Sequence, residues 1–363
     1  MGRGIEMSRN VCVIAGDDAA PEAMWPTIEL LESMGLDIQF LRPITGIEAV
    51  KKYGEGQGLP DEAKKAIDTA DATLYGAGGG LTPGTAYLRF AKKCWAHVRP
   101  VRYLKGARSP LKKPEGIDWV IVREGLEGLY PAREGDLSLL APIADQVRDS
   151  RMNEPLPFRE KGFFALKITT EKNVRNIAKF ACEFALRRKA KGYPGKVTVA
   201  AKYNLLRKND GFFRQTVEET VKQYPELKFE QFIVDAFAQK MVLSPYDLDV
   251  VVLPNELGDL LSDGAAATIG GLGLAPSGVY GDNYAYFEPI HGSAPDIAGK
   301  NIINPTATIL SAAFMLDYLG MGKEADRLTH AVERVYMEGK YLTSDQGGTS
   351  STSEFCKAIK GNL

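Results

Sequence analysis

Short apolar runs alternate along this chain with longer segments that have the periodicity of a helix, and this alternation restricts the fold more than any other feature. Runs of strand length occur at 10–16, 71–79, 118–124, 196–202, 229–237 and 249–255. Amphipathic segments lie at 21–35, 169–190 and 211–225, and the pattern is almost wholly helical from about residue 304. Strands that alternate with helices predict an α/β fold.

Length and charge narrow the class of protein. With 363 residues, 44% of them hydrophobic, the chain can bury a large core, which suggests two domains or one large α/β unit. The 45 basic residues nearly balance the 46 acidic ones, so the charge gives no reason to expect nucleic acid or a membrane surface as a partner.

The cysteines and the N-terminus indicate where the protein works. Cys12, Cys94, Cys182 and Cys356 are scattered without a C-x-x-C pair, which favours small buried thiols in a reducing compartment. The N-terminus has no apolar signal region, and no stretch approaches the roughly 18 apolar residues of a membrane span. These features predict a soluble, cytoplasmic protein.

The loop GAGGGL at 76–81 resembles the dinucleotide fingerprint G-x-G-x-x-G, but Leu81 stands at the third glycine position. A flexible loop is the better interpretation. A dinucleotide, if one binds, binds without that fingerprint.

Three arginines are candidates for binding a carboxylate. Arg89, Arg99 and Arg123 each sit at or near the end of an apolar or aromatic segment, where a planar bidentate donor can hold an anion. For any one of them alone, an ordinary surface cation is the simpler interpretation. Arg123 resists that interpretation most, because it follows the buried-looking run WVIV directly.

Asp259 and Asp263 are four residues apart and share one face of a predicted helix, where like charges repel. A divalent cation would remove this repulsion, and Asp235 offers a third hard oxygen ligand for Mg²⁺ or Mn²⁺. A solvated acidic face at the start of a helix explains the same pair equally well.

Two further stretches carry candidate groups. Lys202 ends a β-rich run with Asn204 two residues later, and a lysine beside carboxylates can accept a proton if its pKa is lowered. Strand-end lysines are, however, common. The Gly/Pro/Asn-rich loop at 287–310 leads into a helix and holds His291, so it is either a ligand loop or a long surface loop.

Taken together, these stretches resemble the metal-dependent, β-decarboxylating 2-hydroxyacid dehydrogenases, which include isocitrate, 3-isopropylmalate, homoisocitrate and D-malate/tartrate dehydrogenases. The resemblance runs from about residue 10 to the C-terminus. Its most specific pieces are GDLLSDGAA at 258–266 and EPIHGSAPDIAGKNIINPTATILSAAFML at 288–316.

The resemblance implies a two-domain isocitrate/isopropylmalate dehydrogenase-like α/β fold. A large domain would be formed by residues 1–95 and 270–363, and a small domain by residues 96–269 would carry the dimer contact. It also implies a homodimer in which Lys202 and Asp235 are lent across the interface, NAD as cofactor together with Mg²⁺ or Mn²⁺, and a small-molecule substrate, with neither nucleic acid nor membrane as a partner.

The site residues that the resemblance implies fall into four groups. The substrate carboxylates would be held by Arg89, Arg99 and Arg123, with Thr85 near the C3 group. Tyr130 would protonate the enol and Lys202 would relay the hydroxyl proton. The metal would take Asp235, Asp259 and Asp263. NAD would be bound by Asn204, Glu288, His291, Gly292, Ser293, Ala294, Asp296 and Asn304.

The implied reaction is hydride transfer from the C2 hydroxyl carbon to NAD, followed by metal-assisted loss of the C3 carboxylate as CO₂. Asp296 would accept both hydroxyls of the adenosine ribose and repel the 2′-phosphate of NADP.

The chain departs from the family pattern at three places. Where the family usually has GDGIGPE, residues 16–22 are GDDAAPE, and Asp tolerates a left-handed backbone better than Ala does. Gly125 stands where the family commonly has asparagine. The stretch TPGTAY before Arg89 lacks the paired leucines of an isopropyl pocket and the additional arginine of homoisocitrate enzymes.

The substrate therefore stays open between an isocitrate-like acid and a D-malate/tartrate-like acid, with 3-isopropylmalate and homoisocitrate as alternatives. Two rivals belong to other classes. A noncatalytic regulatory subunit of an isocitrate dehydrogenase would have lost catalytic or metal positions, whereas Lys202, Tyr130 and the three aspartates are all present. A metal-dependent lyase without redox chemistry would turn over with no absorbance change of the nicotinamide.

Overall fold

Ten strands form one continuous mixed sheet in the computed structural model, which describes residues 8–363. Numbered along the chain, the strands of the protein are Arg9–Ile14 (β1), Ile38–Leu41 (β2), Ala72–Tyr75 (β3), Ala96–Arg102 (β4), Asp118–Glu124 (β5), Glu134–Asp136 (β6), Phe163–Ala165 (β7), Lys196–Ala201 (β8), Lys228–Ile233 (β9), Val250–Leu253 (β10), Pro276–Tyr280 (β11) and Ala285–Pro289 (β12). The order across the large sheet is β2-β1-β3-β12-β11-β4-β5-β10-β8-β9, and β6 pairs with β7 separately.

The helices cover both faces of the sheet. They are Ala20–Ser33 (α1), Gly46–Tyr53 (α2), Asp61–Thr69 (α3), Gly84–Ala86 (α4), Glu171–Ala190 (α5), Asn209–Val221 (α6), Val234–Leu243 (α7), Asn255–Thr268 (α8), Thr306–Tyr318 (α9), Gly322–Glu338 (α10) and Thr352–Gly361 (α11). A π-helical turn, Tyr87–Ala91, follows α4 directly. Within residues 8–363, no helix combines the length and the apolar character needed to cross a bilayer.

Two large hydrophobic clusters flank the middle of the sheet. In the first, α1, α9, α10 and α11 pack with β1, β3 and β12, and Leu74, Phe287 and Leu316 are fully buried there. Because α9 is covered nearly all round, its sequence is apolar on every side rather than amphipathic. In the second cluster, α5 and α6 cover β5, β8 and β10, with Val122 and Val252 at its centre.

The direction of the strands decides where a ligand can bind. Strands β5, β10, β8 and β9 are mutually parallel, whereas β4 runs antiparallel to β5. Parallel neighbours end at the same edge of a sheet, and open α/β sheets bind their ligands at that carboxyl edge. Arg123 near the end of β5, Asn255 after β10 and Lys202 after β8 therefore lie along one edge.

Most of the predicted elements are present, and the predicted α/β class is confirmed. The predicted strand at 229–237 is wrong in its second half, because the chain leaves β9 at Ile233 and Asp235 lies in the first turn of α7. Acidic residues suit a first turn, since they face the positive end of the helix dipole. The four cysteines are free and buried, as predicted.

The two-domain division at 95/96 and 269/270 stays a prediction, because the large sheet runs through both segments without a break. The chain between β5 and α5 does form a separate part outside the large sheet. It contains the β6–β7 pair and exposes large apolar side chains, namely Leu139, Ile143, Val147, Met152, Phe163 and Leu166. We call residues 129–168 the arm.

Candidate active site

Arginines from two neighbouring strands meet at one point of the sheet. His97 on β4 lies directly opposite Arg123 on β5, and Arg99 is two residues further along β4. Side chains two apart on a strand share a face, so these three side chains lie on the same side of the sheet. Arg99 is 6% exposed and Arg123 only 1%, so both guanidinium groups are almost completely removed from bulk water.

Asp259 on α8 is the counter-ion of this cluster. Its Oδ1 accepts a hydrogen bond from Arg99 Nη1 at 2.9 Å and another from Arg123 Nη1. Its Oδ2 accepts the Tyr130 hydroxyl, while Arg99 Nη1 also donates to Ser262 Oγ at 2.5 Å. The Asp259 carboxylate thus accepts hydrogen bonds from two guanidinium groups and one phenol hydroxyl.

Arg123 is fixed by neutral neighbours as well. Its Nε and Nη2 both donate to Asn255 Oδ1, at 3.1 and 2.7 Å, and its Cζ lies 4.8 Å from the centre of the Tyr130 ring. A Cβ on Gly258 would lie 2.6 Å from Arg123 Cγ, so only glycine lets α8 approach this closely. This packing explains how a buried strand can end in an arginine.

Burial controls the protonation of the site. Burial, together with the nearby Arg99 and Arg89, lowers the pKa of Arg123 to about 9, which keeps it charged at neutral pH. Burial and the hydrogen bond to Asp259 raise the pKa of Tyr130, so its hydroxyl retains a proton to donate. Burial opposes ionisation of Asp259, but Arg123 and Arg99 outweigh it and lower the pKa of Asp259.

Lys202 and Asp235 form a separate pair. The Lys202 ammonium donates to the Asp235 carboxylate, and the backbone N–H of Lys202 donates to the fully buried Asp210 at 2.7 Å. Across the part of the chain that is described, no three His, Cys, Asp or Glu side chains lie close enough to hold a metal. Asp235 therefore does not join Asp259 and Asp263 within one chain, although Asp259 and Asp263 share α8 as predicted.

The cofactor loop predicted at 288–304 adjoins the arginine cluster. Burial raises the pKa of Glu288 at the end of β12, while the charges of Arg99, Arg89 and Arg123 oppose this shift. The Glu288 side chain is thus within electrostatic reach of all three arginines. The backbone carbonyl of Glu288 accepts Ser311 Oγ from α9 at 2.9 Å, which fixes the end of the strand.

His291 offers a polar atom without a protein partner. Its Nδ1 lies 2.8 Å from the Gly292 carbonyl, while its Nε2 is enclosed and has no hydrogen-bond partner among residues 8–363. Burial lowers the pKa of His291, so the ring is neutral. A buried polar atom without a partner is costly, and a ligand hydroxyl or amide would satisfy it.

Helix α1 holds the loop in shape. The Glu22 carboxylate accepts the backbone N–H of Gly299 and of Asn301, both at 2.5 Å, and Ala294 takes the left-handed conformation with φ +51°. The Asp296 side chain is exposed to solvent. Loop and helix α1 thus present Asp296 outward on a fixed backbone.

Some predicted site residues have other surroundings than expected. Asn304 is buried, and its amide nitrogen donates to Asp345 at 2.9 Å and Tyr336 at 3.2 Å, so this side chain supports the loop from within. Thr85 lies in α4 beside the buried Tyr75, whose pKa burial raises to about 12. Asn204 is exposed in the turn after β8.

Asp17 changes the interpretation of the glycine loop. Its buried carboxylate accepts the backbone N–H groups of Gly79 at 2.7 Å, Leu81 at 3.2 Å and Thr82 at 3.1 Å, and the Thr82 hydroxyl at 2.6 Å. The loop predicted to be flexible is instead tied to the end of β1. No dinucleotide fingerprint is needed to explain its glycines, because Gly76 lies against the Ala15 carbonyl, too close for a Cβ.

The departure GDDAAPE joins the two loops. Asp18 adopts φ +51°, which aspartate tolerates better than alanine, and its carboxylate accepts Ser293 Oγ at 2.5 Å. Ala19 N donates to the Ser293 carbonyl at 3.0 Å, and Ala20 begins α1. Alanine at position 20 therefore needs no left-handed backbone.

Sequence inspection missed several supporting residues, above all Asn255, Ser262, Glu22 and His97. Asn255 carried a usable signal, because a polar residue two positions after a buried strand lies at the ligand-binding edge of a sheet. The other three carried none, since their roles depend on contacts across the fold.

The comparisons with known proteins agree with this geometry. Residues 10–359 match the family described as isocitrate/isopropylmalate dehydrogenase. The chain is 40% identical over 350 residues to the 3-isopropylmalate/3-methylmalate dehydrogenase of Methanocaldococcus jannaschii, covering 96% of this chain and 97% of that one. It is also 40% identical over 361 residues to the isocitrate/homoisocitrate dehydrogenase of Thermus thermophilus, covering 97% and 98%.

A solved structure agrees as well. The crystal structure of isocitrate dehydrogenase from Methylococcus capsulatus superposes with a TM-score of 0.84 at 32% identity, covering 98% of this chain and 99% of that one. The chain is an oxidoreductase-type α/β protein, and it belongs to the isocitrate/isopropylmalate dehydrogenase family.

The Asp18–Ser293 link predicts a contrast between two substitutions. Asp18→Ala removes a hydrogen bond and keeps the left-handed backbone, so it should lower the free energy of unfolding by about 2 kcal/mol. Asp18→Gly removes the same bond but relieves the strain, so it should stay within about 1 kcal/mol of the wild type. Urea unfolding followed by circular dichroism compares the two; equal losses would contradict the assigned strain.

Proposed function

We propose that this protein oxidises a 2-hydroxy acid bearing a C3 carboxylate, with NAD as hydride acceptor and Mg²⁺ or Mn²⁺ assisting the loss of CO₂. The observation that carries the proposal is the convergence of Arg99, Arg123 and Tyr130 on the Asp259 carboxylate. Donors that already hydrogen-bond a carboxylate of the protein can bind a substrate carboxylate in the same way. Membership of the family supports the reaction class.

The donor set fits a hard divalent cation. Asp259 and Asp263 supply carboxylate oxygens from one face of α8, and Asp235 of a second subunit would supply the third. When bound, the cation supplies Lewis-acid stabilisation of negative charge that develops at the C2 oxygen. Asp259 would then leave its arginines for the cation, and the arginines would turn to the substrate.

The protein side chains would carry the protons. Lys202, as the neutral amine, would take the proton of the C2 hydroxyl while NAD accepts the hydride, and Asp235 would then hold the resulting ammonium in place. After the C3 carboxylate leaves, the Tyr130 hydroxyl donates its proton to C3. The raised pKa of Tyr130, caused by burial and by its bond to Asp259, keeps that proton available at neutral pH.

The loop at 288–304 is the proposed NAD site. The unpartnered Nε2 of His291 and the Asp296 carboxylate, exposed on a fixed backbone, support it. Glu288 places the loop beside the arginine cluster, so the nicotinamide end of the cofactor would meet the substrate. Ser293 and Ala294 would approach the cofactor through the backbone held by α1.

A homodimer would complete the site. The separation of the Lys202–Asp235 pair from Asp259 leaves the proposed metal set incomplete within one chain. Exposed apolar side chains could be covered by a second subunit. Leu243 at the end of α7 is 70% exposed, Leu260 on α8 is 65% exposed, and Phe163 of the arm is 79% exposed. Leu260 lies between Asp259 and Asp263, so an interface there would bring a partner's residues to the metal site.

The first experiment is a substrate panel with NAD and Mn²⁺. Isocitrate, homoisocitrate, 3-isopropylmalate, 3-methylmalate, D-malate and tartrate are compared by the absorbance of reduced nicotinamide and by CO₂ release. Isocitrate or a D-malate/tartrate-type acid should give the highest kcat/KM, because TPGTAY lacks the paired leucines of an isopropyl pocket. Preference for 3-isopropylmalate would overturn the substrate assignment.

The same panel separates the rival classes. If none of the acids is turned over by any oligomer whose composition has been verified, the protein is better explained as a regulatory subunit. Loss of CO₂ without reduced nicotinamide would favour a lyase.

Mixing two inactive variants tests the shared site. Lys202→Met removes the proton relay and Tyr130→Phe the acid, so each homodimer should be nearly inactive. If Lys202 reaches a partner's site, random mixed dimers contain one intact site in half the molecules and recover about a quarter of wild-type activity. Verified mixed dimers that stay inactive would mean that each chain builds its own site.

Substitution at Asp296 tests the cofactor. The wild type should prefer NAD, since a carboxylate near the adenosine ribose repels a 2′-phosphate. Asp296→Lys should lower the ratio of kcat/KM for NAD to that for NADP by about tenfold or more. The control is Glu338→Lys, which changes an exposed carboxylate at the end of α10. Asp345→Lys is unsuitable as a control because Asp345 supports Asn304. A wild type that already favours NADP would refute the assignment.

A further inference from the structure

Arg89 is held by a histidine in the same way as Arg123 is held by an asparagine. Arg89 Nε and Nη2 both point at His97 Nε2, at distances of 3.2 and 3.0 Å. Arg123 Nε and Nη2 both point at Asn255 Oδ1, at 3.1 and 2.7 Å. In each case one acceptor takes the Nε/Nη2 edge of the guanidinium, so that the Nη1/Nη2 end can face a carboxylate, as Arg123 Nη1 faces Asp259.

Both acceptors are uncharged, and for His97 the surroundings require it. The ring is fully buried on β4 among Arg89, Arg99 and Arg123, and burial together with these charges lowers the pKa of His97 well below its usual range. A neutral acceptor orients a guanidinium without cancelling its charge. A carboxylate in this place would orient it too, but would weaken its attraction for a substrate anion.

Room for the imidazole comes from Gly125. A Cβ at position 125 would lie 2.7 Å from both Cδ2 and Nε2 of His97 and 2.9 Å from the Trp95 carbonyl oxygen. Any larger residue at position 125 would push the ring away from Arg89. The glycine in REGLEG and the histidine on β4 thus depend on each other.

We infer that His97 is a positioning residue that turns the end of Arg89 toward the substrate, and that Gly125 is glycine to admit the His97 ring. The inference rests on the proposed function, since Arg89 acts here as a substrate ligand. Arg89 Cζ also lies 6.0 Å from the centre of the Tyr130 ring. Arg123 Cζ lies near the centre of the same ring, at 4.8 Å. His97 and Asn255 thereby aim two arginines at one side of the site.

A matched pair of variants tests the role. His97→Gln keeps an acceptor at about the reach of Nε2, whereas His97→Met keeps the size but has no comparable acceptor. For the acid that the wild type oxidises best, His97→Met should raise KM about tenfold, with kcat and the KM for NAD changed less than about threefold. His97→Gln should stay within about threefold of the wild type, and both variants should keep the wild-type unfolding midpoint within a few degrees.

Two controls keep the outcomes apart. Crystal structures of the two variants show whether Arg89 stays against β4, which does not require turnover; it should stay in His97→Gln and leave in His97→Met. Gly125→Ala, with His97 intact, should raise the KM for the acid as His97→Met does. Equal KM increases in His97→Gln and His97→Met would mean that the ring only fills space, and an unmoved Arg89 in His97→Met would overturn the inference. If the wild type oxidises none of the acids in the panel, the proposed function is contradicted instead. The crystal structures then still show whether His97 positions Arg89.

Discussion

Mutual repulsion among buried guanidinium groups is the constraint on which the rest of this structure depends. Arg99 and Arg123 are almost inaccessible to water, Arg89 is close by, and like charges in such surroundings are tolerated only with compensation. Asp259 supplies one negative charge to two of them, and neutral acceptors fix two of the three in orientation. Among the groups that bond one another directly, several guanidinium groups thus accompany a single carboxylate, an arrangement that suits a ligand with more than one carboxylate.

The scaffold serves this cluster from several directions. Gly258 allows α8 to lie against Arg123, so that Asp259 reaches the guanidinium groups. The proposed cofactor loop meets the cluster at Glu288, and α1 fixes the far end of that loop through Glu22. The proposed substrate and cofactor sites would therefore lie on neighbouring elements of one sheet.

The sequence predicted those parts that depend on local pattern. Apolar runs and helical periodicity located β5, β8, β10, α5 and α6, and the spacing of Asp259 and Asp263 put them on one face of a predicted helix. It failed where distant contacts decide. Nothing local shows that Asp17 ties down the glycine loop, that Asn304 is held by Asp345, or that His97 faces Gly125. Strand β12, which leads into the proposed cofactor loop, and its neighbour β11 show no clear strand pattern, because β11 contains Pro, Ser and Gly and β12 ends in Glu and Pro.

In the proposed function, Asp259 occupies the arginines until a cation draws it away. Calorimetric titration of the preferred acid into wild type and Asp259→Asn, with Mn²⁺ or with a chelator, tests this most directly. Without metal, Asp259→Asn should bind the acid more tightly than the wild type, because an internal competitor is gone. With Mn²⁺ the order should reverse, because a metal ligand is gone. Weaker binding by Asp259→Asn in both conditions, or affinities that do not respond to Mn²⁺, would contradict the account.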